Sequence, residues 1–135
     1  MPKTAQDAGT DANNDLCIDL SIFIDLFNGG RFFDAHEVLE DVWRSVPNLP
    51  PRRLLRLHLQ GMIQLAVAFH HASTGNRTGA RSVLERAMRN LNGAETSFPD
   101  LDFDQILVSL TNWRQYLSGA IPPPNPPQIR RKPAP

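Results

Sequence analysis

Cysteine occurs once in these 135 residues, at Cys17, which excludes an internal disulfide framework and suits a reducing compartment. No apolar run approaches the roughly 18–20 residues that a membrane helix needs. The opening Met-Pro-Lys-Thr-Ala-Gln-Asp has no apolar stretch behind it, so no signal peptide is visible. Net charge is lacking as well, since 14 basic and 14 acidic side chains cancel. With 41% apolar and 21% charged residues, the chain is neither disordered nor collagen-like. The expectation is one soluble, cytoplasmic domain with no membrane contact. Gly-x-x-x-x-Gly-Lys-Ser/Thr, Gly-x-Gly-x-x-Gly, Cys-x-x-Cys and Gly-x-Ser-x-Gly are also missing, which removes the common nucleotide, thiol-metal and serine-hydrolase signatures.

What is present is helical. Leu16, Leu20, Phe23 and Phe27 recur in 4-3-4 steps along a first helix, which Asn28-Gly29-Gly30 closes. Phe32, Ala35, Leu39, Val42, Trp43 and Val46 mark a second, stopped by Pro47 and Pro50-Pro51. A third, from about Arg52 to Ser73, is apolar on most sides and therefore central. Ala80, Val83, Leu84, Ala87, Met88 and Leu91 give a fourth; Phe103, Ile106, Leu107, Leu110, Trp113 and Leu117 give a fifth, capped by Asp100 or Asp102. The fold class is all-α: a compact bundle of about five helices in antiparallel hairpins over residues 15–118. Polar residues 1–14 read as a mobile tail. The seven prolines after Gly119 make residues 119–135 an extended, solvated tail that cannot be helix.

Charge is unevenly spread. Residues 1–43 carry two basic and nine acidic side chains, whereas residues 44–90 carry eight arginines against Glu85 alone. Arg52, Arg53, Arg56, Arg77, Arg81 and Arg89 are the candidate anion contacts. No aromatic residues interleave with them, so a solvated or acid-paired face is the preferred reading and nucleic acid is not an expected partner.

The second helix carries the most unusual residues, His36-Glu37-Val38-Leu39-Glu40-Asp41-Val42-Trp43. At about 100° per residue, His36 falls on the rim of the apolar arc and Glu40 just beyond, while Glu37 faces water. Gln60, Gln64 and His71 form a matching polar stripe on the third helix. Facing one another, His36, Glu40, Trp43, Gln60, Gln64 and His71 would line a polar pocket. Three readings follow. His36, Glu40 and His71 offer metal donors, although Glu40 stands where a zincin has its second His and glutamine is a poor zinc ligand. A His–carboxylate pair suits acid–base work, although no nucleophile accompanies it. A buried hydrogen-bond network that fixes helix register is the leading reading. No metal or cofactor is favoured. His58 and His70 read as packing or surface residues.

The run Phe27-Asn28-Gly29-Gly30-Arg31-Phe32-Phe33-Asp34-Ala35-His36-Glu37-Val38-Leu39-Glu40-Asp41-Val42-Trp43 resembles the signature of the domain-of-unknown-function 309 family. Leu59-Gln60-Gly61-Met62-Ile63-Gln64-Leu65-Ala66 and Gly75-Asn76-Arg77-Thr78-Gly79-Ala80 resemble its next two blocks, in order. The likeness covers about residues 16–92. It implies a small all-α fold, with His36, Glu40, Trp43, Gln60 and Gln64 as motif positions and no reaction attached. The expected role is a small binding or interaction module using that pocket; a His36/Glu40 hydrolytic site and anion binding through the arginines are the alternatives. A homodimer is expected if Phe103, Leu110 or Trp113 is left partly exposed.

Overall fold

Helix ends fall where the chain's own punctuation puts them, but the first helix begins only at Ser21, with residues 18–20 non-helical. A computed structural model describes residues 18–133; the expected N-terminal tail, with Leu16 and Cys17, lies outside the described residues. Helix α1 spans Ser21–Asn28, α2 Phe32–Ser45, α3 Arg53–Ser73, α4 Arg77–Asn90 and α5 Phe103–Leu117. Short 3-10 turns at Pro50–Arg52 and Ala94–Thr96 interrupt the connections. Gly30 and Gly75 take φ near +80° and +85°, the left-handed conformation that lets the amides of Arg31 and Asn76 reach back to Leu26 and His71 and satisfy the last carbonyls of α1 and α3. The side chains of Asn76 and Asp102 cap α4 and α5 by accepting from the amides of Gly79 (2.9 Å) and Gln105 (3.1 Å).

Side-chain contacts fix the directions. Phe33 at the start of α2 packs on His70 near the end of α3, and Trp43 near the end of α2 packs on Arg56 at the start of α3, so the two run antiparallel. Gly61 of α3 meets Leu91 just past α4, and Arg77 of α4 meets Tyr116 of α5, which continues the pattern. A methyl group on Gly61 would sit 2.9 Å from Leu91 Cγ, so α3 and α4 approach closely there because that position has no side chain. The core gathers on α3, with Leu59, Met62 and Leu65 fully buried beside Phe27, Leu39, Leu84 and Leu110. Burying each such side chain contributes about 1.5–3 kcal/mol. Phe69 joins the layers, edge-on to Phe27 at 5.8 Å and to Trp113 at 5.1 Å. Among the described residues no helix is long and apolar enough to cross a membrane.

One expectation needs correction. The proline-rich segment is non-helical, as its composition demands, but it is not free. Ile129 is 2% exposed, the Asn28 amide exchanges two hydrogen bonds with the Ile129 backbone (2.7 and 2.9 Å), and Leu101 pairs with Arg131 in an antiparallel bridge. The segment binds because the bundle supplies an apolar slot and donors for a chain whose prolines cannot donate. On α5, Phe103 and Leu110 are buried while Trp113 is partly exposed, so of the three side chains Trp113 alone meets the condition stated for a homodimer. The exposed apolar residues of α5 are Leu107 and Val108.

Candidate functional site

The six residues expected to form one pocket lie on α2 and α3, but five of them take separate partners. His36 donates its Nδ1–H to the Phe33 carbonyl one turn back (2.7 Å), and Glu40 is held by Arg44 at 2.6 Å. No His36–Glu40 hydrogen bond forms, because a charge-assisted i,i+4 partner is available to the carboxylate on its other side. The Trp43 ring carries the Arg56 guanidinium at 3.9 Å, and Arg56 Nε donates to the Val46 carbonyl (3.0 Å). Trp43 Nε1 is buried without a hydrogen-bond partner among the described residues. Gln64 turns to α4, accepting from Asn90 at 2.8 Å, and His71 sits near the α3 C-terminus, 3.4 Å from the Asn76 amide. Gln60 is half-buried on α3. Among the described residues no three His, Cys, Asp or Glu side chains come together as a metal-holding group, so His36, Glu40 and His71 do not form one.

The fully buried polar side chain of the core is His58, at 0% exposure. A carbonyl can only accept, so Nε2–H donates to the Asn92 carbonyl (3.1 Å), and Nδ1 accepts from the Ser97 hydroxyl (2.6 Å). Burial in the core favours the neutral imidazole. Burial pushes its pKa below the ordinary 6.5, against smaller opposing pulls from the Asn92 carbonyl and the Glu95 carboxylate. Only its place on the apolar arc of α3, beside Leu55, Leu59 and Met62, signals this role in the sequence; its partners are 34 and 39 residues away.

The six candidate arginines are also divided. Arg52, Arg53 and Arg56 crowd the N-terminal end of α3, where Arg52 is half-buried and has a partner of its own. Arg77 lies over the Tyr116 ring (4.5 Å) and donates to the Tyr116 carbonyl (2.7 Å). Arg81 and Arg89 are exposed on α4. Twelve residues of helix set Arg77 and Arg89 about 18 Å apart, so the set makes no single anion site. The α3 group has apolar company instead. Leu49, Leu54 and Leu57 are 62%, 54% and 41% exposed, at the α2–α3 connection and the first turns of α3. This corner combines exposed leucines with Arg44, Arg53 and Arg56.

Residues 20–83, from the edge of α1 into α4, match the family model described as Domain of unknown function (DUF309). That segment is similar to the DUF309 family. It contains the six expected site residues and the leucine–arginine corner, whereas α5 and the proline-rich segment lie beyond the DUF309 match. The chain is also similar to "Uncharacterized protein YpuF" of Bacillus subtilis (strain 168), 34% identical over 73 residues, covering 54% of this chain and 40% of that protein. An "Uncharacterized protein" of Aquifex aeolicus (strain VF5) is 27% identical over 104 residues, 77% of this chain and 29% of that one. The chain thus spans less than half the length of these curated relatives.

Proposed function

We propose that this chain is a non-catalytic, cytoplasmic interaction module whose DUF309 segment binds an acidic amphipathic segment of a partner protein at the α2–α3 corner. The observation that carries this reading is the trio Leu49, Leu54 and Leu57, each exposed at the start of α3 or just before it, with Arg53 and Arg56 on the same stretch. Scattered surface leucines are ordinary, but leucines exposed beside Arg53 and Arg56 suit a partner with apolar anchors and a carboxylate rim. The Arg56–Trp43 stack pins one side of the corner to α2, so the face is preformed and little ordering entropy opposes binding. Acid–base catalysis has less support, because the His36 and Glu40 side chains are each committed to a neighbour on their own helix.

A photo-crosslinking residue placed at Leu54 tests the reading, with the same residue at Ser82, exposed on α4, as control. The expected result is a crosslinked adduct from Leu54 alone, mapping to a helical segment rich in Asp and Glu. Equal labelling from both positions, or adducts only to nucleic acid, would overturn it.

A further inference from the structure

The last described residues are held as a receptor holds a peptide. The body reads the segment through its backbone: Trp113 Nε1 donates to the Asn125 carbonyl (3.0 Å), the Asn28 amide serves both polar groups of Ile129, the Asp102 amide donates to the Arg130 carbonyl (2.8 Å), and the Lys132 amide donates to the Asp100 carbonyl (2.7 Å). Side chains add discrimination. Ile129 fills a core slot, Arg131 pairs with Asp100, and Pro124, Pro126 and Pro127 lie against a cradle of Phe32, Phe69, Trp113 and Tyr116. Aromatic walls with a tryptophan N–H aimed at a carbonyl are how proline-rich segments are recognised, since proline exposes an undonating, acceptor-rich backbone. Added main-chain pairing beside it, as at Leu101–Arg131, is how extended peptides are held. The fit is incomplete: a cavity of about 280 Å³ remains between the prolines and the aromatic walls.

We infer that the groove between α1, α3 and α5 is a binding site for extended proline-containing segments, occupied here in cis by residues 122–132 and open to the same kind of segment from another polypeptide. The ligand it fits reads Pro-Pro-x-Ile-Arg-Arg, as in Pro126-Pro127-Gln128-Ile129-Arg130-Arg131, and the unfilled cavity accepts a larger apolar side chain at the proline positions. The short link from Leu117 keeps the chain's own segment at an effective concentration of order millimolar, so a trans ligand competes against it. This site lies away from the α2–α3 corner and does not depend on it.

The test is fluorescence anisotropy with a labelled peptide of residues 121–133, titrated against the full chain and against its Ile129→Asp variant, whose own segment cannot seat. The variant should bind the peptide at least ten-fold more tightly than the unaltered chain, and adding Trp113→Phe should weaken that binding several-fold. A variant with unchanged helicity that binds no peptide, or binds a scrambled one equally well, would overturn the proposal. Should Ile129→Asp lose its helicity, the full chain is nicked at a protease site inserted between Ala120 and Ile121. Exchange of the cut segment for labelled peptide then supports the proposal, and failure to exchange overturns it.

Discussion

Replacing His58 by alanine removes the one fully buried polar side chain among the described residues and should destabilise the core strongly. The imidazole makes two hydrogen bonds, to Ser97 and Asn92, and ties α3 to the turn that follows α4. Losing both partners costs about 1 kcal/mol each, toward the lower end of the range because Ser97 is half-buried and Asn92 is exposed. The void left by a ring at 0% exposure adds roughly another 1–2 kcal/mol. For a domain of this size the total of about 3–4 kcal/mol lowers Tm by roughly 10–15 °C. Circular dichroism melts at neutral pH measure this directly. The same residue sets a pH dependence. Its folded pKa lies below the unfolded value near 6.5, so the unfolded chain takes up a proton first as pH falls. Stability is therefore complete above pH 6.5 and declines below it, by at most about 1.4 kcal/mol per pH unit, until the folded pKa is passed. The alanine variant lacks that component, and the two melting curves against pH should converge on acidification. A loss of under about 3 °C with parallel pH profiles would refute the reasoning.

His36→Ala should lower stability by less than about 1 kcal/mol, because the imidazole bonds only its own helix and Glu40 keeps Arg44; a loss above about 2 kcal/mol in chemical denaturation would mean a shared network after all. Gly61→Ala gains about 1 kcal/mol in helix propensity yet should destabilise by about 1 kcal/mol net, since its methyl meets Leu91 at 2.9 Å and the Asn90 backbone carbon at 3.2 Å; a raised Tm contradicts the close packing of α3 on α4. Asn28→Ala removes both bonds to Ile129 and should speed proteolysis after Gly119 while the helices keep their protection, which limited digestion followed by mass spectrometry reports.

The helices were legible because each is a single amphipathic period with its own stop. Asn28-Gly29-Gly30, Pro47 and Gly75 mark three boundaries, and Asp102 caps α5 as one of the two candidates there. The polar cluster was legible only in part. Periodicity gives the azimuth of Gln64 around α3 but not which neighbour waits there, and α4, through Asn90, claims it instead of α2. His36 and Glu40 show the same limit, since i,i+4 spacing permits their pairing while Phe33 and Arg44 offer better geometry. His58 and the proline-rich segment escaped for a different reason. The His58 partners lie 34 and 39 residues away, Asn28 and Ile129 lie 101 apart, and no local pattern encodes an Asn28 amide that mimics a strand edge.

The central claim, that the Leu49–Leu54–Leu57 corner receives an acidic amphipathic segment, is tested most directly by amide chemical-shift mapping. The probe is a synthetic helical peptide with leucine at i, i+3, i+4 and i+7 and glutamate elsewhere, titrated into the full chain at about 150 mM salt. Shifts centred on residues 49–57, abolished by Leu54→Glu with Leu57→Glu at unchanged Tm, are the predicted result. Shifts absent from that corner, or unaltered by the double substitution, would contradict the account.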